Sequence, residues 1–184
     1  MKMTRTHKLL FAASLILSLG ACSSMSAQNP ANELSPVNAA QAEGADRVML
    51  FGADVVAYFT TNAYVQGSAK FSSTYKDVDF HFSSAENKAL FDQSPEQYLP
   101  QYGGYCANGI VYGIPWGGDA DAWRIIDGKL YIFGGAGSRD AFLLDVPGNR
   151  ALAQKYWADE VAGSNSFWQR SKRMVLRVPH YASG

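Results

Sequence analysis

The segment FSSTYKDVDFHFSSAENKALF, residues 71–91, decides the fold because a hairpin and a helix follow one another within it. Residues 71–75 and 78–82 alternate in polarity and are joined by a Lys-Asp pair, a pattern typical of a β-hairpin. The three apolar side chains of the second run share one face, opposite Asp79 and His81. This segment therefore predicts two antiparallel strands with one face turned to a core.

Helix start signals follow the hairpin. Ser83 with Glu86 three residues later forms a capping box, in which each side chain satisfies a backbone donor at the other position. Ser94 before Pro95 predicts a second short helix, with Ser as the cap and Pro in the first turn. Pro100 ends that helix. Two short helices are thus expected directly after the hairpin.

A second hairpin is predicted further along the chain, where residues 123–126 and 129–133 flank an Asp-Gly pair. Paired glycines at 103–104 predict a tight backbone turn. Helices are expected near residues 138–144, 148–161 and 165–173. A short strand or extended tail is expected at residues 175–178. The predicted fold class is α+β: a small antiparallel sheet of hairpins packed with short helices, and additional C-terminal helices.

The N-terminus carries an export signal. Three basic residues precede an apolar run over residues 9–19, which is too short for a stable membrane span of about 20 residues. Leu19-Gly20-Ala21-Cys22 resembles the lipobox of bacterial lipoproteins, which implies cleavage after residue 21 and acylation, including palmitate, on Cys22. Ser23, where an Asp would favour retention in the inner membrane, implies an outer-membrane lipoprotein that faces the periplasm.

Processing defines three expected regions: a signal peptide over 1–21, a flexible tether over 22–45 and a single domain with a C-terminal helical extension over 46–184. The tether is rich in small and polar residues, and order is expected to begin near Val48. The mature chain would hold 13 basic and 16 acidic residues, a net charge of −3. This charge favours no nucleic-acid partner. The expected contacts are the membrane, through the lipid, and an unidentified protein or small ligand.

Several segments of the chain resemble one known family. They are GADVVAYF (52–59), FHFSSAEN (80–87), SPEQYL (94–99), PQYGGYCA (100–107) and WRIIDGKLY (123–131). Together they resemble YHS-domain proteins, specifically the compact lipoprotein-type family described as YHS domain-containing (seleno)proteins. The resemblance runs from about residue 50 to about residue 133.

The resemblance implies a metal-handling ancestry but no metal site. In metal-handling YHS domains three cysteines suit a soft or borderline metal such as copper or zinc. Their positions fall on Ala57, Ser83 and Asn87, whose methyl, hydroxyl and amide groups cannot replace thiolates as tight ligands. The fold can thus be inherited without the site.

Two residues are candidates for metal or redox chemistry. Cys106 is the only thiol once Cys22 is acylated, so no intramolecular disulfide can form. It is either a reactive thiol or soft-metal ligand, or a small buried residue. His81 could ligate copper or zinc together with Asp79, or it is a solvated strand residue.

An aromatic pocket is a further candidate. Its residues could bind an apolar or cationic ligand, or else form an amphipathic core. They are Asp54, Tyr58, Tyr102, Tyr105 and Trp123, with Tyr98 and Tyr131 nearby in the sequence.

Three functions follow from these observations. The first is a non-catalytic envelope binding module, which leads because three expected ligands are missing and no acid–base pair or catalytic motif is visible. The second is a soft-metal binder that uses Cys106 and holds copper or zinc. The third is a thiol-redox protein with Cys106 as its nucleophile.

Overall fold

A computed structural model describes residues 39–41 and 47–158 of the chain. The lipidation candidate Cys22, the signal peptide, the helix expected at 165–173 and the strand expected at 175–178 lie outside the described residues. None of the helices in the described part is long and apolar enough to serve as a transmembrane segment.

The fold is α+β, as the sequence predicts, with two small sheets and short helices around them. The strands are β1 (Ala39–Gln41), β2 (Arg47–Met49), β3 (Ser68–Tyr75), β4 (Val78–Phe82), β5 (Asp119–Ile126) and β6 (Lys129–Phe133). The helices are α1 (Ala57–Thr60), α2 (Ala85–Gln93), α3 (Pro95–Tyr98), α4 (Ala107–Ile110), α5 (Ala136–Leu143) and α6 (Val146–Tyr156). Tight 3₁₀ turns occupy Leu50–Gly52 and Gln101–Gly104.

Both predicted hairpins are present. Strands β3 and β4 pair antiparallel, with Tyr75 opposite Val78, and β5 and β6 pair antiparallel across the turn at Asp127 and Gly128. Both turn residues have positive φ angles, which is the conformation that an Asp-Gly hairpin turn requires. These local signals were sufficient because a hairpin brings neighbouring parts of the sequence together.

The first sheet differs from the prediction in two respects. Its strand order is β1-β2-β4-β3, and β2 runs parallel to β4 with Val48 opposite Asp79, so the sheet is mixed and not purely antiparallel. Strand β1 lies inside the predicted tether, where Ala40 pairs with Val48 of β2. The tether therefore contributes an edge strand, and order begins before residue 48.

The capping prediction for α2 was off by one residue. Ser84, not Ser83, is the N-cap, and its side chain accepts a hydrogen bond of 3.1 Å from the amide of Asn87. The side chain of Ser83 instead donates a hydrogen bond to the buried carboxylate of Asp54. Two adjacent serines gave the sequence two possible caps, and a tertiary contact decided between them.

The apolar side chains form two clusters. One lies around the first sheet and α2, and contains Val78, Phe80, Phe82 and Phe91. The other lies between β6 and the helices α4 to α6, and contains Tyr105, Ile110, Phe133 and Phe142. The predicted C-terminal helices are confirmed at α5 and α6, and they cover this second cluster.

Candidate functional site

Asp54 is fully buried and is the centre of a polar cluster whose other side chains, Ser83 and Asn87, are exposed and half-buried, respectively. Its Oδ1 accepts hydrogen bonds from the backbone amides of Val56 (3.0 Å) and Ala57 (3.2 Å) at the start of α1. A carboxylate that accepts from the amides two and three residues ahead fixes the turn that leads into a helix.

The second oxygen of Asp54 connects this turn to β4 and α2. Its Oδ2 accepts hydrogen bonds from the backbone amide of Ser83 (2.8 Å), from Ser83 Oγ (2.6 Å) and from Asn87 Nδ2 (2.7 Å). We call Asp54, Ser83, Asn87 and the two amides the Asp54 node. Five donors converge on one carboxylate, so its capacity to accept hydrogen bonds is spent inside the protein.

The node joins the three positions where the resemblance places cysteines in metal-handling domains. Ala57 contributes its amide, and Ser83 and Asn87 contribute side chains, all to the same carboxylate. The described residues contain no group of three or more His, Cys, Asp or Glu side chains that could hold a metal ion. The carboxylate of Asp54 thus links these three positions through hydrogen bonds.

His81 lies on β4, half-buried, beside the turn at Gly52. A Cβ atom at Gly52, where φ is +84°, would lie only 3.0 Å from His81 Nδ1. Asp79, the companion proposed from the sequence, accepts a hydrogen bond from Thr74 on the neighbouring strand. The imidazole therefore packs closely on a backbone turn while the carboxylate of Asp79 is engaged with Thr74.

Cys106 is a buried free thiol, with 2% of its surface exposed. It caps α4, where its Sγ accepts a hydrogen bond of 3.4 Å from the amide of Gly109. Ser138 Oγ lies 3.0 Å from the same Sγ. The described partners of the thiol are thus a hydroxyl and an amide, and neither is a cation or imidazole that would activate it.

The predicted aromatic pocket residues separate into core and cleft. Tyr58 is buried, donates a hydrogen bond of 2.6 Å to the carbonyl oxygen of Ala120 and packs against Trp123 at 5.0 Å between ring centroids. Burial raises the pKa of Tyr58 above its ordinary value. Tyr105 is fully buried in the second cluster. These rings, like Asp54, belong to the interior, so the core alternative applies to them.

Tyr102 differs because it lines a cleft of about 500 Å³. Its backbone adopts a left-handed conformation (φ 53°) in the turn that the paired glycines predict. Its ring packs against Tyr131 and Trp157, at 6.0 and 5.7 Å between centroids. A non-glycine residue in this conformation costs on the order of 1 kcal/mol or more and persists only where its surroundings hold it.

We call this space the Tyr102 cleft. Its walls come from the Gln101–Gly104 turn, the β5–β6 hairpin and the first two turns of α6. Its lining residues are Gln101, Tyr102, Ile126, Asp127, Lys129, Tyr131, Val146, Pro147, Arg150, Ala151 and Gln154. Within it, Arg150 forms an ion pair with Asp127.

Burial raises the pKa of both phenols in the Tyr102 cleft, while the nearby guanidinium of Arg150 opposes the shift. The hydrogen bond that Arg150 donates to the carboxylate of Asp127 is the main cause that raises the pKa of Arg150. At neutral pH the two phenols of the cleft are therefore protonated and the guanidinium of Arg150 is charged.

A second cleft of about 420 Å³ has a different character. Asp119 and Asp121, both exposed, line it together with the half-exposed ring of Tyr64. Gln66 orders one wall, because its Nε2 donates to the carbonyl oxygen of Phe51 (3.0 Å) and its Oε1 accepts from the Tyr64 hydroxyl (2.7 Å).

Sequence reasoning missed Arg150 and Lys129 as members of a candidate site, although it named Tyr131 with the aromatic residues. Arg150 lies 23 residues from its partner Asp127, and no motif connects the two. The sequence signals near this cleft were the turn at Tyr102 and the aromatic residue Tyr131, and neither indicates the two basic residues. Comparisons of the chain with protein-family models, with curated proteins and with solved structures found no match.

Proposed function

We propose that the chain is a non-catalytic binding module of the bacterial envelope, anchored by lipid on Cys22, with a YHS-like fold that has exchanged its metal site for the Asp54 node. One observation carries this proposal: the carboxylate of Asp54 takes five hydrogen bonds from the segments that would supply thiolates. Such a cluster stabilises the three segments against one another, as a bound metal would, but it leaves no coordination site open.

The two alternative functions both need Cys106 to be accessible. A soft-metal ligand or a redox nucleophile must meet its partner in the thiolate form. The thiol is instead 2% exposed and hydrogen-bonded within the protein. These contacts favour a structural role for Cys106, which fits the binding module better than either alternative.

A zinc and copper(I) titration of the full chain in a non-ionic detergent tests the proposal. We expect no submicromolar binding in the wild type under reducing conditions, and no difference between the wild type and Cys106→Ala. Submicromolar binding that disappears in Cys106→Ala would replace the binding module with the soft-metal function.

A gain-of-function variant tests the correspondence to metal-handling domains. Ala57→Cys, Ser83→Cys and Asn87→Cys together are expected to create submicromolar zinc binding, because thiolates at these three positions would meet beside Asp54. The matched control is Lys70→Cys, Ala89→Cys and Gln97→Cys, three exposed positions on different elements. If the triple variant keeps its circular dichroism spectrum and binds zinc no better than the control, the proposed correspondence is wrong.

The anchor has its own test. Cys22→Ala is expected to abolish labelling by radioactive palmitate and to release the protein from the washed membrane fraction, because acyl chains supply the proposed attachment. Membrane retention of the unlabelled variant would contradict the lipid anchor without touching the domain.

A further inference from the structure

The Tyr102 cleft gathers two phenols, Tyr102 and Tyr131, and the guanidinium of Arg150 along one lining. Arg150 donates one hydrogen bond to Asp127, and a guanidinium has further N–H donors beyond that one. Tyr131 is 2% exposed and Tyr102 is 7% exposed. Both residues line the cleft, and almost all of the surface of each is buried.

The charges of the cleft favour an anion. Arg150 and Lys129 contribute two positive charges, and Asp127, paired with Arg150, contributes one negative charge. Lys129 forms no ion pair with any residue in the described part of the chain. The net lining charge of +1 matches a single carboxylate better than a phosphate, which carries about −1.5 to −2 at neutral pH.

The rest of the lining is apolar. Ile126, Val146, Pro147 and Ala151 form this part of the wall. A volume of about 500 Å³ falls within the range of ordinary small-molecule sites, which combine apolar walls with a few convergent polar groups. An apolar body with one carboxylate would use both parts of the cleft.

We propose that the Tyr102 cleft binds a small organic monocarboxylate, whose carboxylate accepts hydrogen bonds from Tyr102, Tyr131 and Arg150 and whose apolar body packs on Ile126 and Pro147. The inference rests on the proposed function, because it names the class of ligand for the binding module. It differs from the apolar or cationic ligand that the aromatic residues suggested from the sequence, since the hydroxyls and the guanidinium, and not the ring faces, dominate this cleft.

Ligand-observed NMR titration of the full chain in non-ionic detergent tests the proposal. The probe is benzoate, and benzyl alcohol serves as a neutral probe of nearly the same shape. We expect benzoate to bind with a Kd of about 1 mM or tighter and benzyl alcohol to bind at least about tenfold more weakly, because hydrogen bonds to a charged group are the stronger ones. Arg150→Gln and Tyr131→Phe are each expected to weaken benzoate binding, by about tenfold and about fivefold.

The matched control is Arg139→Gln. It removes another half-buried arginine that pairs with an aspartate, Asp140, away from the cleft, and it should leave the Kd unchanged. Equal binding of the two probes, no benzoate binding below about 10 mM, or equal loss in Arg139→Gln and Arg150→Gln would each overturn the proposal. A thermal melt of each variant separates unfolding from loss of the site, and Tyr131→Phe provides a second test if Arg150→Gln does not fold. None of these results bears on the metal titration, so the proposed function stands or falls separately.

Discussion

The Asp54 node and the Tyr102 cleft are both assembled from polar side chains far apart in the sequence, but they use those side chains in opposite ways. In the node, every donor meets the one buried carboxylate, and the carboxylate has no further capacity. In the cleft, the donors outnumber the acceptor that Asp127 supplies, and the phenols line an open space. Polar groups near one another thus mark a site only when part of their hydrogen-bonding capacity is left over.

The energetic consequences differ accordingly. Removing the acceptor from a saturated buried cluster leaves several donors without partners, and each unsatisfied group costs about 1–3 kcal/mol. Removing a donor from an open cleft lets water take its place, at little cost. Mutations in the node should therefore change stability, and mutations in the cleft should change binding.

The largest expected effect is that of Asp54→Ala. We expect it to lower the free energy of unfolding by about 3 kcal/mol or more, because it leaves the side chains of Ser83 and Asn87 and three amides without their acceptor. Urea denaturation measures the change. Asp140→Ala, an exposed aspartate with an ion pair of its own, is the control and should cost about 0.5 kcal/mol or less. A loss below about 1 kcal/mol in Asp54→Ala would mean that the node does not hold the three segments together.

Alkaline pH provides the next largest effect. Burial raises the pKa of Tyr58, Tyr102 and Tyr131 in the folded protein, whereas the unfolded phenols ionise near pH 10. The stabilisation from each raised pKa is complete below pH 10 and is lost as pH rises further, because the unfolded state then binds fewer protons. Each phenol should lower stability by up to about 1.4 kcal/mol per pH unit above pH 10.

Urea denaturation at pH 9, 10 and 11 measures how steeply stability falls with pH. Tyr102→Phe should make this slope shallower by the contribution of one phenol. Phe51→Leu removes an exposed ring that has no ionisable group and should leave the slope unchanged. An identical slope in Tyr102→Phe and the wild type would contradict the burial of the Tyr102 hydroxyl.

A substitution of Cys106 should change stability less than a substitution in the node and more than one in the cleft. Cys106→Ala should cost about 1 kcal/mol, through loss of the contacts with Ser138 and Gly109. Iodoacetamide should alkylate the native thiol on the order of 100-fold more slowly than the urea-unfolded thiol, because reaction requires local opening. Equal alkylation rates of the native and the unfolded thiol would instead support a reactive Cys106.

The sequence predicted the local parts of the fold well and the non-local parts poorly. The hairpin turns at Lys76 and Asp127 and the Pro95 helix start depend on neighbouring residues, and all are confirmed. The parallel pairing of Val48 with Asp79 crosses more than 30 residues, and no local pattern specifies it. The strand at Ala39–Gln41 is short, and its hydrogen bonds depend on β2. Because its composition resembles that of a tether, no sequence signal indicated a strand there.

The candidate site follows the same rule. The family resemblance groups Ala57, Ser83 and Asn87, but it gives no reason to place Asp54 at their centre. That role depends on bonds across 29 and 33 residues. The Tyr102 turn could be predicted from its glycines, whereas the approach of Arg150 could not, since it depends on how α6 docks against the β5–β6 hairpin.

Tyr131→Phe should have the smallest effect on stability. It therefore gives the clearest contrast between the Tyr102 cleft and the Asp54 node. Arg150 keeps its ion pair with Asp127, and its side chain is one third exposed, so water can reach the guanidinium where the phenol oxygen is lost. We expect urea denaturation at pH 7 to show a loss of about 0.5 kcal/mol or less, alongside the weakened benzoate binding. Asn87→Ala is the matched change in the node. It removes one donor from a carboxylate that is itself fully buried, and it should cost about 1 kcal/mol or more. If the two variants lose the same stability, the cleft is as closed as the node, and its phenols are structural groups and not the donors of a binding site.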